Sequence, residues 1–168
     1  MARTCTLKGK PLALEGPQLK VGDPAPDATV KKDLVTDFDL ASLNGKARIF
    51  SVVPSVDTAV CAEQARRFAK AAAGLPDVTF CTISCDLPVA MARFCGAESI
   101  NAESLLMLSD HKNTEFGKAY GTLIPDLRIQ SRAVFVVDGS DTLRYVEYVP
   151  EVAEHPDYDA ILACARSL

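Results

Sequence analysis

Residues 54–61 read PSVDTAVC and follow directly on the apolar run RIFSVV. Pro54 ends a predicted buried strand, because proline has no N–H for the ladder and fixes φ. Cys61 then opens a predicted helix, and Ser55, Asp57 and Thr58 supply side-chain oxygens in between. A thiol at such a turn faces the unpaired N–H groups and the positive dipole end of the helix that follows. Both favour a thiolate: a free thiol ionises near pH ~8.5, and helix N-termini or nearby cations bring that down to about 3.5–7.5. Reacting groups also collect at the carboxyl ends of strands in α/β proteins. Position alone leaves a second assignment standing, a buried thiol packed as a small apolar residue. Thr58 can share a hydrogen bond with a bound oxygen atom, or cap the helix, or do both. Asp57 opposes a thiolate unless it points outward or pairs with a cation.

The other five cysteines divide by position. Cys81 and Cys85 are spaced as C-x3-C, but in an extended strand they lie about 13 Å apart. A disulfide needs Cα atoms within about 7 Å, so these two are expected to be small core residues. Cys164 falls on the Ile161 side of the last helix and is expected to pack there, and Cys5 carries no readable signal. Cys95, in ARFCGAE, sits late in a predicted helix with Gly96 as its expected stop. It is either a core thiol beside Met91 or a thiol on a frayed helix end that can swing out.

The elements that must position these residues follow from periodicity. TCTLKGKPLALEG is expected to form a hairpin turning at Gly9-Lys10. A proline-rich lead-in, VGDPAPDATV, a loose strand and FDLASLNGK come before the strand RIFSVV. CAEQARRFAKAAAG spaces Ala62, Ala65, Phe68, Ala69 and Ala72 as one helical face and ends at Gly74. VTFCTIS, LPVAMARFCGAE, SLLMLSD and NTEFGKAYG then alternate strand and helix. RAVFVVDG and TLRYVEYV read as a hairpin across Gly139-Ser140, and DYDAILACARSL as a closing amphipathic helix. Alternating elements of this length predict βαβ units, hence one α/β domain over residues 1–168 with a mixed central sheet flanked by helices.

Bulk properties narrow the function. The chain has 168 residues, 48% hydrophobic and 24% charged, with a formal net charge of −4. Lys and Arg are scattered and outnumbered, which argues against nucleic acid. No stretch approaches the roughly 20 apolar residues of a membrane span, and the N-terminus lacks the apolar core of a signal peptide. A soluble, cytoplasmic protein is expected. With only two histidines, His111 and His155, there is little material for zinc sites or for cysteine–histidine pairs.

PSVDTAVC matches the P-x-x-x-T-x-x-C signature of the peroxiredoxins, in a fitting strand-to-helix context. The chain most resembles their bacterial thiol peroxidase branch, the atypical two-cysteine class. The likeness runs through TLKGKPLAL, VGDPAPDATV, SLNGK, PSVDTAVCAEQ, SCDLPVAMARFCGAE, FGKAYG and SRAVFVVD. It implies a thioredoxin-like fold with an added N-terminal β-hairpin, a homodimer, and no metal or organic cofactor. By resemblance Cys61 is the peroxidatic cysteine and Cys95 the resolving one, the two forming an intramolecular disulfide that thioredoxin reduces. Pro54 and Thr58 match the other motif positions. Arg132 matches an arginine brought to the site from a later strand; taken by itself it would be a strand-edge cation. Hydrogen peroxide or alkyl hydroperoxides are the implied substrates.

Three rivals compete. A thioredoxin-like binding module without turnover gives no reason for Pro54, Thr58, Cys61, Cys95 and Arg132 to occur together. A cysteine hydrolase needs a histidine base, and neither histidine has a recognisable relation to Cys61. A structural zinc protein would want a CxxC pair, and there is none.

Overall fold

The computed structural model describes residues 3–168. The chain opens on β1 (Thr4–Leu7) and β2 (Lys10–Ala13), then runs through β3 (Thr29–Lys31), β4 (Asp37–Asp39), a 3₁₀ turn (Leu40–Leu43) and β5 (Arg48–Val52). Helix α1 (Ala59–Ala72), β6 (Thr79–Ser84), α2 (Pro88–Glu98), β7 (Leu106–Ser109) and α3 (Glu115–Tyr120) alternate after it. A short pair, β8 (Leu123–Ile124) and β9 (Ile129–Gln130), precedes β10 (Ala133–Val137), β11 (Leu143–Tyr148) and the closing α4 (Tyr158–Arg166).

Seven strands form one sheet in the order β11-β10-β5-β6-β7-β3-β4. The pairs β5–β6 and β6–β7 are parallel, as their helical crossovers require, and the remaining pairs are antiparallel. The expected mixed sheet is therefore present. Strands β5 and β10 are buried on both faces, so they read as continuous apolar runs rather than alternating ones.

Alternate residues of these strands feed two cores. Phe50, Val52, Phe135 and Val137 pack with Phe116 and Tyr120 of α3 on one face. On the other, Ile49, Val134 and Val136 pack with Ala65 and Phe68 of α1, Phe94 and Cys95 of α2, and Ile161 and Ala165 of α4. Among the described residues no helix is long and apolar enough to cross a membrane.

Three local expectations are corrected. The first hairpin turns on Lys8-Gly9 rather than Gly9-Lys10, because Lys8 and Gly9 both take positive φ (51° and 75°) and Lys10 already pairs with Leu7. Two such residues make the tight turn whose twist suits a hairpin. Gly96 lies inside α2; the stop is Ser99, left-handed at φ 55°, where the Ile100 N–H returns to the Cys95 carbonyl at 2.9 Å. The segment after α3, read as a loop, contains the β8–β9 pair, whose strands are two residues each and too short for any periodicity.

The N-terminal hairpin is tied to the far end of the chain. Thr6 and Glu151 form an isolated parallel bridge through Thr6 N–H to Pro150 O and Val152 N–H to Thr6 O, both 2.8 Å. The Glu151 carboxylate accepts from the Thr6 hydroxyl and from the Lys8 and Gly9 N–H groups at 2.9–3.1 Å. The Gly9 N–H first among these holds the Glu151 carboxyl down at about 2. The pKa lies below its unfolded value, so the anchor is complete above pH ~4.5 and is lost as pH falls toward ~2. Hydrogen-exchange protection of the Lys8 and Gly9 amides should decline over that window, and Glu151→Ala should lower it by about ten-fold at neutral pH. Protection independent of both pH and the substitution would mean that the carboxylate is not what holds the hairpin.

Candidate active site

The β5–β10 register builds the site. Ala133 pairs with Val52, so Arg132, the residue before β10, emerges beside the carboxyl end of β5, where the PSVDTAVC turn begins. Thr58 is the N-cap of α1, with extended backbone at φ −104° and ψ 149°, which puts Cys61 in the first helical turn. The helix thus starts where the sequence pattern places it, at the mouth of a central strand.

Cys61 is fully buried, and Arg132 is 1% exposed beside it. The guanidinium donates to three partners: Nη2 to Cys61 Sγ at 3.2 Å, Nη1 to Gln64 Oε1 at 2.7 Å, and Nε to the Val152 carbonyl at 2.9 Å. Gln64 lies one turn beyond Cys61 on the same helix face, and its Nε2 donates to Ser51 Oγ of β5 at 2.7 Å. The amide orientation follows from this chemistry, since guanidinium donates only and must face an oxygen.

No carboxylate lies within ion-pair distance of Arg132 among the described residues. A buried charge without a counter-ion is costly. Of the three groups that Arg132 touches, only the Cys61 sulfur can become an anion.

The turn between β5 and α1 is held by one acid. Asp86, just past β6, accepts from the Ser55 hydroxyl and the Val56 N–H with its two oxygens, and from the Ser84 hydroxyl, each at 2.8 Å. Asp57 points outward and pairs with Arg93 of α2 at 2.8 Å, so its charge is answered away from the thiol, as one of the two sequence alternatives requires. Pro54 is half-buried at the start of the turn. The exposed Thr58 hydroxyl donates to the Ser55 carbonyl at 3.2 Å and makes no side-chain bond to the helix N-terminus.

Cys95 is buried within the apolar cluster beneath α1 and α2, and all six cysteines are free thiols. Burial raises the Cys95 thiol, as it does those of Cys5 and Cys164. Burial likewise pushes Cys81 up to about 12, and Cys85 to about 12 with help from the neighbouring Asp110 carboxylate. The structure therefore brings Arg132 and Cys61 together, with Pro54 and Thr58 on the same turn, while Cys95 waits in the neighbouring core. His111 bonds Ser109 and His155 bonds Tyr158, and among the described residues neither histidine is hydrogen-bonded to Cys61. Among the described residues no cluster of metal-ligating side chains occurs.

Sequence reading missed Gln64, Ser51 and Asp86. The signals were weak but present: Ser51 is a lone hydroxyl among the apolar residues of a fully buried strand, and Gln64 adjoins the apolar stripe of α1. A buried polar residue in such a setting needs a partner. Arg132 is likewise no strand-edge cation but a core residue.

The redoxin family profile matches residues 20–162. A thiol peroxidase of Oceanobacillus iheyensis is 49% identical over 158 residues, covering 94% of this chain and 95% of that protein. A thiol peroxidase of Bacillus subtilis is 47% identical over 163 residues, covering 97% and 96%. Among solved structures, a peroxiredoxin-like protein from Aquifex aeolicus superposes with a TM-score of 0.90 at 36% identity, over 99% of this chain and 98% of that one. A thiol peroxidase from Chromobacterium violaceum, at 23% identity and a TM-score of 0.83 over 98% of this chain and 95% of that one, shares the fold.

Gln64→Leu removes the acceptor for Arg132 and the donor to Ser51 in one step. It should destabilise the protein by about 1–3 kcal/mol, read as a lower denaturation midpoint at unchanged m-value. Gln64→Glu, whose oxygens accept from both partners, should recover most of that loss. An unchanged midpoint in Gln64→Leu would show that the guanidinium does not depend on this bond.

Proposed function

The chain belongs to the redoxin family, in its bacterial thiol peroxidase branch, and on that premise we propose that Cys61 is the peroxidatic residue of a thiol-dependent peroxidase. The buried 3.2 Å contact between a carboxylate-free Arg132 and the Cys61 sulfur carries this assignment.

The Cys61 thiolate attacks the terminal oxygen of a hydroperoxide in line with the O–O bond. That bond breaks as the S–O bond forms, the sulfur is oxidised to a sulfenic acid, and the leaving oxygen takes a proton to depart as water or an alcohol. Charge moves from sulfur to the leaving oxygen during the step, so donors already fixed around the sulfur can follow it without reorganising. Arg132 supplies two such donors on Nη1 and Nη2. The Thr58 hydroxyl, which donates to the Ser55 carbonyl in this structure, is assigned as a third donor by its place in the motif. Gln64, Ser51 and the Val152 carbonyl hold the guanidinium in place.

Cys95 is the resolving residue in this scheme. Its thiol condenses with the Cys61 sulfenic acid, forming a disulfide and releasing water. Because Cys95 lies in the α1–α2 core, the end of α2 must unwind first. A dithiol reductant then exchanges with the disulfide and returns both thiols. We assign that role to thioredoxin, and we expect a homodimer that uses neither metal nor organic cofactor. Hydrogen peroxide and alkyl hydroperoxides are both substrates on this view, and the compartment is the cytoplasm.

The decisive experiment adds one equivalent of hydroperoxide to the fully reduced protein and maps disulfides by non-reducing peptide mass spectrometry. A dominant Cys61–Cys95 bond is expected; Cys61 recovered as a free thiol would leave a binding module with the family fold. Cys61→Ser should abolish turnover, and Cys95→Ser should consume one equivalent of peroxide and then stop. Arg132→Ala should slow the peroxide step by about a hundred-fold or more, and an undiminished second-order rate would make Arg132 purely structural.

A further inference from the structure

Two ion pairs join the segment carrying Cys61 to the helix carrying Cys95. Asp57, in the turn before Cys61, pairs with Arg93 at 2.8 Å, and Arg66, later in α1, pairs with Glu98 at 2.9 Å. Along α2 they bracket Cys95, two residues before it and three after. Along the other segment they bracket Cys61 more loosely, four residues before it and five after.

The two ends of α2 are held by different means. Its start is fixed by Asp86, whose bonds to Ser55, Val56 and Ser84 leave little freedom. Pro88 adds a preset φ at the first helical position. The second half has Phe94 and Cys95 buried, but Arg93, Gly96 and Ala97 are exposed. Gly96 follows Cys95 directly, and a Cβ built on it would meet nothing within 4 Å. Its absence therefore serves no close packing and simply weakens the helix at that point. Glu98, on the last helical residue, puts a negative charge at the negative end of the helix dipole and depends on Arg66 for compensation.

We propose that Arg66 and Arg93 are positioning residues for the resolving step: their ion pairs to Glu98 and Asp57 set how often the turn of α2 carrying Cys95 opens. The proposal rests on the assignment of Cys95 as the resolving thiol. Closed, the turn keeps Cys95 in the core while Cys61 meets peroxide. Open, Cys95 reaches the sulfenic acid, the S–S bond forms, and the hydroxyl leaves as water with the Cys95 proton. A sulfenic acid that waits too long is exposed to a second peroxide and the sulfinic state. The two surface pairs and one glycine thus divide the sulfenic acid between resolution and over-oxidation. Exposed pairs are weak and salt-sensitive, which suits a latch that must open in every cycle.

Two variants push the latch in opposite directions. R66Q/R93Q removes both pairs, together with the Arg66–Glu63 contact within α1, while Gly96→Ala strengthens the helix without touching a neighbour. Opening is read first as the alkylation rate of Cys95 in a reduced Cys61→Ser background, with the modified peptide identified by mass spectrometry. It is read again as the rate of Cys61–Cys95 bond formation after one equivalent of hydroperoxide. At low salt R66Q/R93Q should speed both by about two- to five-fold, and Gly96→Ala should slow both by about three-fold. In about 1 M salt the wild type should approach R66Q/R93Q. The yield of sulfinic Cys61 under excess peroxide should fall in the first variant and rise in the second. Unchanged Cys95 alkylation with a normal Cys61–Cys95 bond would overturn the latch alone. Faster alkylation with no Cys61–Cys95 bond in any variant would overturn the resolving role on which it stands.

Discussion

Arg132 is a permanent cation placed 1% exposed in a protein core, with no ion pair to a carboxylate among the described residues. Such a group is tolerable only if its donors are met and its charge is answered. The core around it is arranged to do both. Gln64 of α1 and the Val152 carbonyl meet two of its donors, and the Cys61 sulfur, reached by a third, is the one contact able to carry the opposite charge. Thiol and guanidinium are each made sense of by the other.

Holding that pair requires elements drawn from the whole chain. Strand β10 delivers Arg132 through its register with β5, and β5 supplies both Ser51 and the turn that starts α1. Segment 150–152 supplies the carbonyl that receives Nε, and it is itself pinned by the N-terminal hairpin through Thr6, Lys8 and Gly9. The added hairpin is therefore more than a decoration on the sheet edge. It stands three contacts from the Cys61 sulfur, through segment 150–152 and Arg132.

Rigidity and mobility are distributed accordingly. Arg132 and Gln64 are buried, and their polar groups meet Cys61, Val152, Ser51 and each other. Helix α2 is fixed at its start by Asp86, which also holds the Cys61 turn, and loosely kept at its end by exposed charges and a glycine-weakened turn. The one acid that orders the turn before Cys61 therefore also lies at the entry to α2.

Much of this was legible in the chain itself. Local periodicity set the order of strands and helices, and PSVDTAVC announced a thiol at a strand-to-helix turn, because proline, helix start and cysteine are separated by a few residues and report on local geometry. The Asp57 charge was rightly expected to be answered elsewhere. Local features below the resolution of a pattern were misplaced: the Lys8-Gly9 turn by one residue, the helix stop assigned to Gly96 instead of Ser99, and two-residue strands such as β8 and β9. The tertiary structure alone decided which groups meet. Arg132 lies 71 residues from Cys61 and Gln64 lies 68 from Arg132, while Glu151 reaches Gly9 across 142. No periodicity spans such distances. Whether an arginine at the start of a strand faces water or a thiol depends on strand register and on what is packed above it, and those are settled only when the sheet has formed.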